Sequence, residues 1–200
     1  MANRNSAGFG FIAAGTLGNT PATSGLSEYF IDANTGGDTF NGEAVQVTAG
    51  YIVTAEDAAT AETVGVLYGV FYNAATTLKP TWANWYNQPI TPANSEDLTA
   101  FVSDNPFQLF VGSMSALAAQ AVYGKTLGLT VTAAGSEING QSSSTLTVGT
   151  VSDTANQWRL IRTAEDPENN DITAAYCSVI VAHNLNQYLQ NTGTAGITWQ

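Results

Sequence analysis

The chain predicts an all-β fold: an antiparallel β-barrel or sandwich with one short helix and an extended N-terminal arm. Short runs rich in Val, Ile, Leu, Thr, Tyr and Phe recur along the 200 residues, each bounded by Gly, Asn or Asp. Only one stretch reads as helix. Hydrophobic residues make up 44% of the chain, enough to fill a core. The length allows either a single core or two small β lobes that share an interface.

Residues 1–27 form the arm. Gly8, Gly10, Gly15, Gly18 and Gly25 separate the apolar Phe9, Phe11, Ile12 and Leu17, and neither a helical nor a strand period survives. A segment too glycine-rich to build a core, yet carrying two phenylalanines, is predicted to order on a neighbouring molecule. The alternative is a mobile tail. On the first reading, removing residues 1–24 leaves a folded body.

Residues 28–112 form a first β lobe. EYFID (28–32) and EAVQVT (43–48) alternate in polarity, YIVT (51–54) follows Gly50, and VGVLYGVFY (64–72) is a longer apolar strand. Gly65 and Gly69 within it predict a bend or a close backbone approach. KPTWANWYNQPITP (79–92) holds three prolines and three aromatics, which argues for a long loop anchored by Trp82, Trp85 and Tyr86. Strand character returns at 99–103 and 108–112, around the turn Asp104-Asn105-Pro106.

Residues 113–200 supply the short helix, a second β lobe and a C-terminal tail. The Ala-rich stretch 113–124 ends at a glycine stop. KTLGLTVT (125–132), STLTVG (144–149), QWRLIRT (157–163) and AYCSVIVAH (175–183) are strands, and Asn139-Gly140 marks a tight turn or hairpin between the first two.

Charge bounds the function. Only 10% of residues are charged, against about a quarter in a typical domain. A surface of Asn, Gln, Ser, Thr and Gly has less side-chain entropy to lose against a neighbouring subunit, which suits packed assemblies. Sixteen acids against five bases give a formal charge of −11, which argues against nucleic-acid binding. No run approaches the roughly 20 apolar residues of a membrane helix, and no basic leader precedes an apolar stretch. A protein made and used in a cytosol-like solvent, or released by lysis, fits these features.

Candidate chemistry is sparse. Cys177 and His183, the sole cysteine and histidine, lie six residues apart on one predicted strand, about 20 Å at roughly 3.3 Å per residue. They cannot act together, and they read as a buried apolar thiol and a capped or surface histidine. The acidic stretch Glu165, Asp166, Glu168, Asn169, Asn170, Asp171 lacks the EF-hand pattern and reads as a solvated turn, so no metal is assigned. The pairs Glu56/Asp57 and Glu96/Asp97 would point to opposite faces of a strand. No glycine-rich phosphate loop is present, and neither a cofactor nor a catalytic residue is assigned. Trp82, Trp85 and Tyr86 could form a sugar-stacking platform, an interface anchor or ordinary core.

The order of features is itself informative. NSAGFGFIAAGTLGNTPAT, then SEYFIDANTGGDTFNGEAVQVTAGYIVTAED, VGVLYGVFYN, the aromatic loop and LTAFVSDNPFQLFVG resembles the head-surface proteins of marine and cyanobacterial tailed phages. TLTVGTVSDTANQWRLIRTAEDPENND and YCSVIVAHNLNQY, followed by an Asn-rich tail, extend the likeness over nearly the whole chain. The resemblance implies a capsid decoration (cement) protein, made in the host cytoplasm and seated on the outer surface of the virion. It implies a homotrimer at threefold or quasi-threefold positions, with the major capsid protein as partner and no catalytic residues. Phe9, Phe11, Ile12 and Leu17 are then the first candidates for lattice contact, and Trp82, Trp85 and Tyr86 the second. A carbohydrate-binding module or adhesin, such as a head-fibre or tail component using the aromatic loop, is the alternative. A hydrolase with a carboxylate pair distant in sequence is a third reading.

Overall fold

The computed structural model describes residues 2–18, 25–34, 37–57, 61–131 and 135–189. In chain order its strands are β1 (Ile12–Thr16), β2 (Ser27–Ile31), β3 (Ala44–Thr48), β4 (Tyr51–Thr54), β5 (Gly65–Asn73), β6 (Pro80–Ala83), β7 (Leu98–Ser103), β8 (Gln108–Ser113), β9 (Thr126–Thr130), β10 (Thr145–Ser152), β11 (Trp158–Thr163) and β12 (Ser178–His183). They build two antiparallel sheets packed as a sandwich, and neither closes into a barrel. Sheet I has the order β1-β8-β12-β11-β9-β10. Sheet II runs β2-β7-β5-β3-β4, with β6 on the free half of β5.

The chain changes sheet at the turn between β7 and β8, so β8 joins the C-terminal strands rather than the lobe predicted over 28–112. The leader contributes β1 to the same sheet, pairing Ile12 with Val111 and Thr16 with Gln108. The cause is inward packing. Phe110 of β8 meets Trp158 of β11 edge to face at 5.6 Å, while β12 pairs with both strands.

The predicted helix over 113–124 is replaced by one 3-10 turn, Gln120–Val122. Its preceding residues spend their backbone groups on neighbouring strands: Met114 N–H donates to the Cys177 carbonyl and Ser115 N–H to that of Leu146. A helix this short has little intrinsic stability with which to compete. The segment 79–92 departs the other way, since its first residues form the edge strand β6. Pro80 opens that strand, where no ladder donor is required of it.

Two core clusters result. Phe11, Phe110, Met114, Leu127, Leu129, Leu146, Trp158, Leu160, Val179 and Val181 meet Ala44 and Val66 of sheet II. On the opposite face of sheet II, Val45, Ile52, Leu67, Val70, Leu98, Ala100 and Val102 pack with Ile31 and Tyr86. The two-residue period of β5 divides Val66 from Leu67 and Val70, and a register shift at Leu67/Gly69 accommodates the bend expected there. A Cβ on Gly69 would come within 2.4 Å of the Trp82 ring, so the glycine admits that indole.

Candidate functional site

The leader separates the apolar residues it carries. Phe11 is buried, stacked on Trp158 at 4.3 Å and edge-on to Phe110 at 6.4 Å. Its N–H donates to the Gly42 carbonyl on the sheet II side, and Gly10 N–H donates to Ser144 ahead of β10. The segment therefore threads between the sheets. Gly10 has φ +72°, and a Cβ there would meet the Gly42 carbonyl oxygen at 2.5 Å. Further out, Arg4 pairs with Glu168 at 2.7 Å, Asn5 N–H donates to Asn169 Oδ1, and Asn3 Nδ2 donates to the Asp171 and Ala175 carbonyls. The acidic stretch 165–171 is thus the dock for the first residues, and among the described residues no metal-holding group of His, Cys, Asp or Glu occurs.

This corrects the reading of the arm. Described residues 2–18 order on their own subunit, because the apolar Phe11 finds an aromatic slot there that a glycine-flanked backbone can enter. The leader residues 19–24 and the C-terminal tail beyond residue 189 lie outside the described residues. Phe11 is unavailable to a partner.

Ile12 and Leu17 do face outward, at 49% and 46% exposure. Sheet register places Ile12 beside Val111, Val111 beside Ile180, and Ile180 beside Arg162, a single cross-strand row on the outer face of sheet I. Phe9, half-buried, joins this row at one end of a groove of about 610 Å³ rimmed by Arg162, Glu165 and Asp166.

The three aromatics of 79–92 point to three places. Tyr86 is fully buried and donates its hydroxyl to the Ala33 carbonyl at 2.9 Å, while Thr39 holds its backbone from both sides. Trp85 is half-buried and stacks on Phe40 at 4.8 Å. Trp82 is 53% exposed and tilts over Phe101 at 4.9 Å. No shared stacking platform forms, since only Trp82 lies in β6, while Trp85 and Tyr86 follow its end and take separate partners.

Trp82 instead belongs to a row the sequence did not suggest. It pairs with Phe71, Phe71 with Thr99, and Thr99 with Phe30, so four neighbouring strands present them on one face of sheet II. Phe30 is 59% exposed and Phe71 37%. Alternation in EYFID, with Tyr29 and Ile31 turned inward, was the signal that could have flagged Phe30. Phe71 was hidden by the bulge at Leu67/Gly69, which shifts the period within one apolar run.

Three buried titratable groups are structural. His183 lies in the aromatic cluster, 4.5 Å from Trp158 and 5.5 Å from Phe110, with Nδ1 3.2 Å from the Thr63 hydroxyl. Burial pulls its pKa down to about 4, so it is neutral near pH 7. It is a core residue and not the capped or surface histidine expected, because β12 is covered on this side by the leader and Trp158. Cys177 is buried, with burial pushing its thiol up to about 11. Glu43, also buried, accepts hydrogen bonds from Phe40 N–H at 3.1 Å and from the Ser144 hydroxyl at 3.3 Å, tying sheet II to the loop before β10. Desolvation holds its carboxyl above the usual range.

No protein-family model, curated protein or solved structure matches this chain.

Proposed function

We propose that this protein is a structural component of a tailed-phage virion, a cement protein that seats on the outer surface of the major capsid lattice. The row Trp82–Phe71–Thr99–Phe30 carries the reading. Exposed aromatics on rigid strands offer a partner large contact area at low entropic cost, and large apolar patches on soluble domains mark contact surfaces. The low charge density of the chain supports the same role, as does the resemblance of its motif order to that of phage head-surface proteins.

A ligand that binds only the assembled lattice stabilises it by mass action against the pressure of packaged DNA. Three copies around a local axis, each touching a different capsid subunit, would make later contacts intramolecular and replace single-site affinity with avidity. The contact residues on this reading are Trp82, Phe71 and Phe30, with Ile12 of β1 and its flanking Phe9 and Leu17 beside the other sheet.

Co-sedimentation with expanded capsids lacking the protein tests it. Saturable pelleting is expected, reduced by Trp82→Ala and Phe30→Ala with the fold intact by circular dichroism. Absence of pelleting, or pelleting that both variants leave unchanged, would refute the assigned role or surface respectively.

A further inference from the structure

A second candidate surface lies between the end of β5 and the segment that follows β6. Tyr72, Thr76, Trp85, Asn87, Ile90 and Thr91 line a cleft of about 500 Å³, and none of its lining residues is charged. That volume falls within the range of small-molecule sites, about 300–1,000 Å³. We infer that this cleft binds a neutral sugar ring, with Trp85 and Tyr72 as the apolar walls and Asn87, Thr76 and Thr91 as the polar groups.

The walls are held before any ligand arrives. Trp85 stacks on Phe40 across one ring face, and the loop before β10 backs it at Gly140, where a Cβ would fall 2.1 Å from the indole Cδ1. Asn84 Nδ2 donates to the Asn139 carbonyl at 2.7 Å, fixing the same loop against the residue before Trp85. Beyond it, Gln88 N–H donates to Asp38 Oδ1 at 2.8 Å, and Ala75 N–H to the Thr91 carbonyl at 3.1 Å. Preorganisation of this kind lowers the entropy lost on binding.

The polar inventory matches the ligand class. Neither the Tyr72 hydroxyl nor the Asn87 amide has a hydrogen-bond partner among the described residues, so both are available to sugar hydroxyls. A pyranose presents an apolar C–H face to an aromatic ring and hydroxyls at its rim, which is the pattern of this lining. An anionic ligand finds no cation in the cleft and meets a chain of net charge −11.

The inference is independent of the capsid role, and its test needs no capsid. The full chain is screened against an array of neutral hexose and N-acetylhexosamine oligosaccharides with their sialylated and sulfated counterparts, and the best binder is titrated by calorimetry. Binding confined to neutral glycans is expected, weakened about tenfold by Asn87→Ala or Tyr72→Phe, each a loss of one polar group. Trp82→Ala, outside the cleft, should leave affinity unchanged. No binding across the array, a preference for acidic glycans, or affinity indifferent to both cleft variants would overturn the assignment. Circular dichroism of each variant separates loss of the site from loss of the fold.

Discussion

The leader and the segment 79–92 are alike in sequence, irregular, rich in Gly or Pro, and studded with aromatics, yet each splits into one anchor and several outward residues. Phe11 and Tyr86 are the anchors, both fully buried. Ile12 and Leu17 in one segment, and Trp82 in the other, face outward. The difference between neighbours such as Phe11 and Ile12 is one step of a strand-like backbone, which turns successive side chains to opposite faces. An apolar residue in an irregular segment is therefore no evidence of a partner until its own body has been given the chance to bury it.

Phe11→Ala probes this contrast with the largest effect. It empties a slot between Trp158 and Phe110 and should cost about 3–5 kcal/mol in denaturant unfolding. Deleting residues 1–18 removes the same ring together with edge strand β1, so the truncated chain should be destabilised at least as much. A truncated body as stable as the full chain would break the anchor assignment.

Acid tests the cluster around Phe11 next. His183 is held neutral in the fold with its pKa lowered from 6.5 to about 4, so its contribution is fully present above pH 6.5 and is lost as pH falls through about 4. The loss is on the order of 3 kcal/mol, read from urea midpoints at pH 7.5 and pH 4. His183→Phe, which keeps an aromatic ring in place, should lose that step. Glu43 works in the opposite sense: its raised pKa makes the fold less stable as pH climbs above 4.5. Glu43→Gln should therefore gain on the parent protein over that interval.

Smaller effects sharpen the outward half of the comparison. Gly140→Ala, at φ +71° and facing Trp85, should cost about 1–3 kcal/mol and displace the indole, visible as a change in tryptophan emission. Ile12→Ala should move stability by less than about 0.5 kcal/mol. A large loss there would mean that the exposed row on sheet I is structural.

The letters alone settled the all-β class and most strand positions, and they flagged a turn at Gly140 and a bend or close approach at Gly69, because turn chemistry and two-residue alternation are local. The alternation in EYFID also held the signal that sets Tyr29 and Ile31 opposite Phe30, although alternation by itself does not say which face is exposed. Which strand joins which sheet was decided only in three dimensions. β8 follows Phe110 to Trp158, and the leader follows Phe11 to the same ring, because those contacts join residues far apart in the chain and leave no short-range pattern. The exposed row Trp82–Phe71–Thr99–Phe30 likewise exists only through register between four strands, so no segment read by itself contains it.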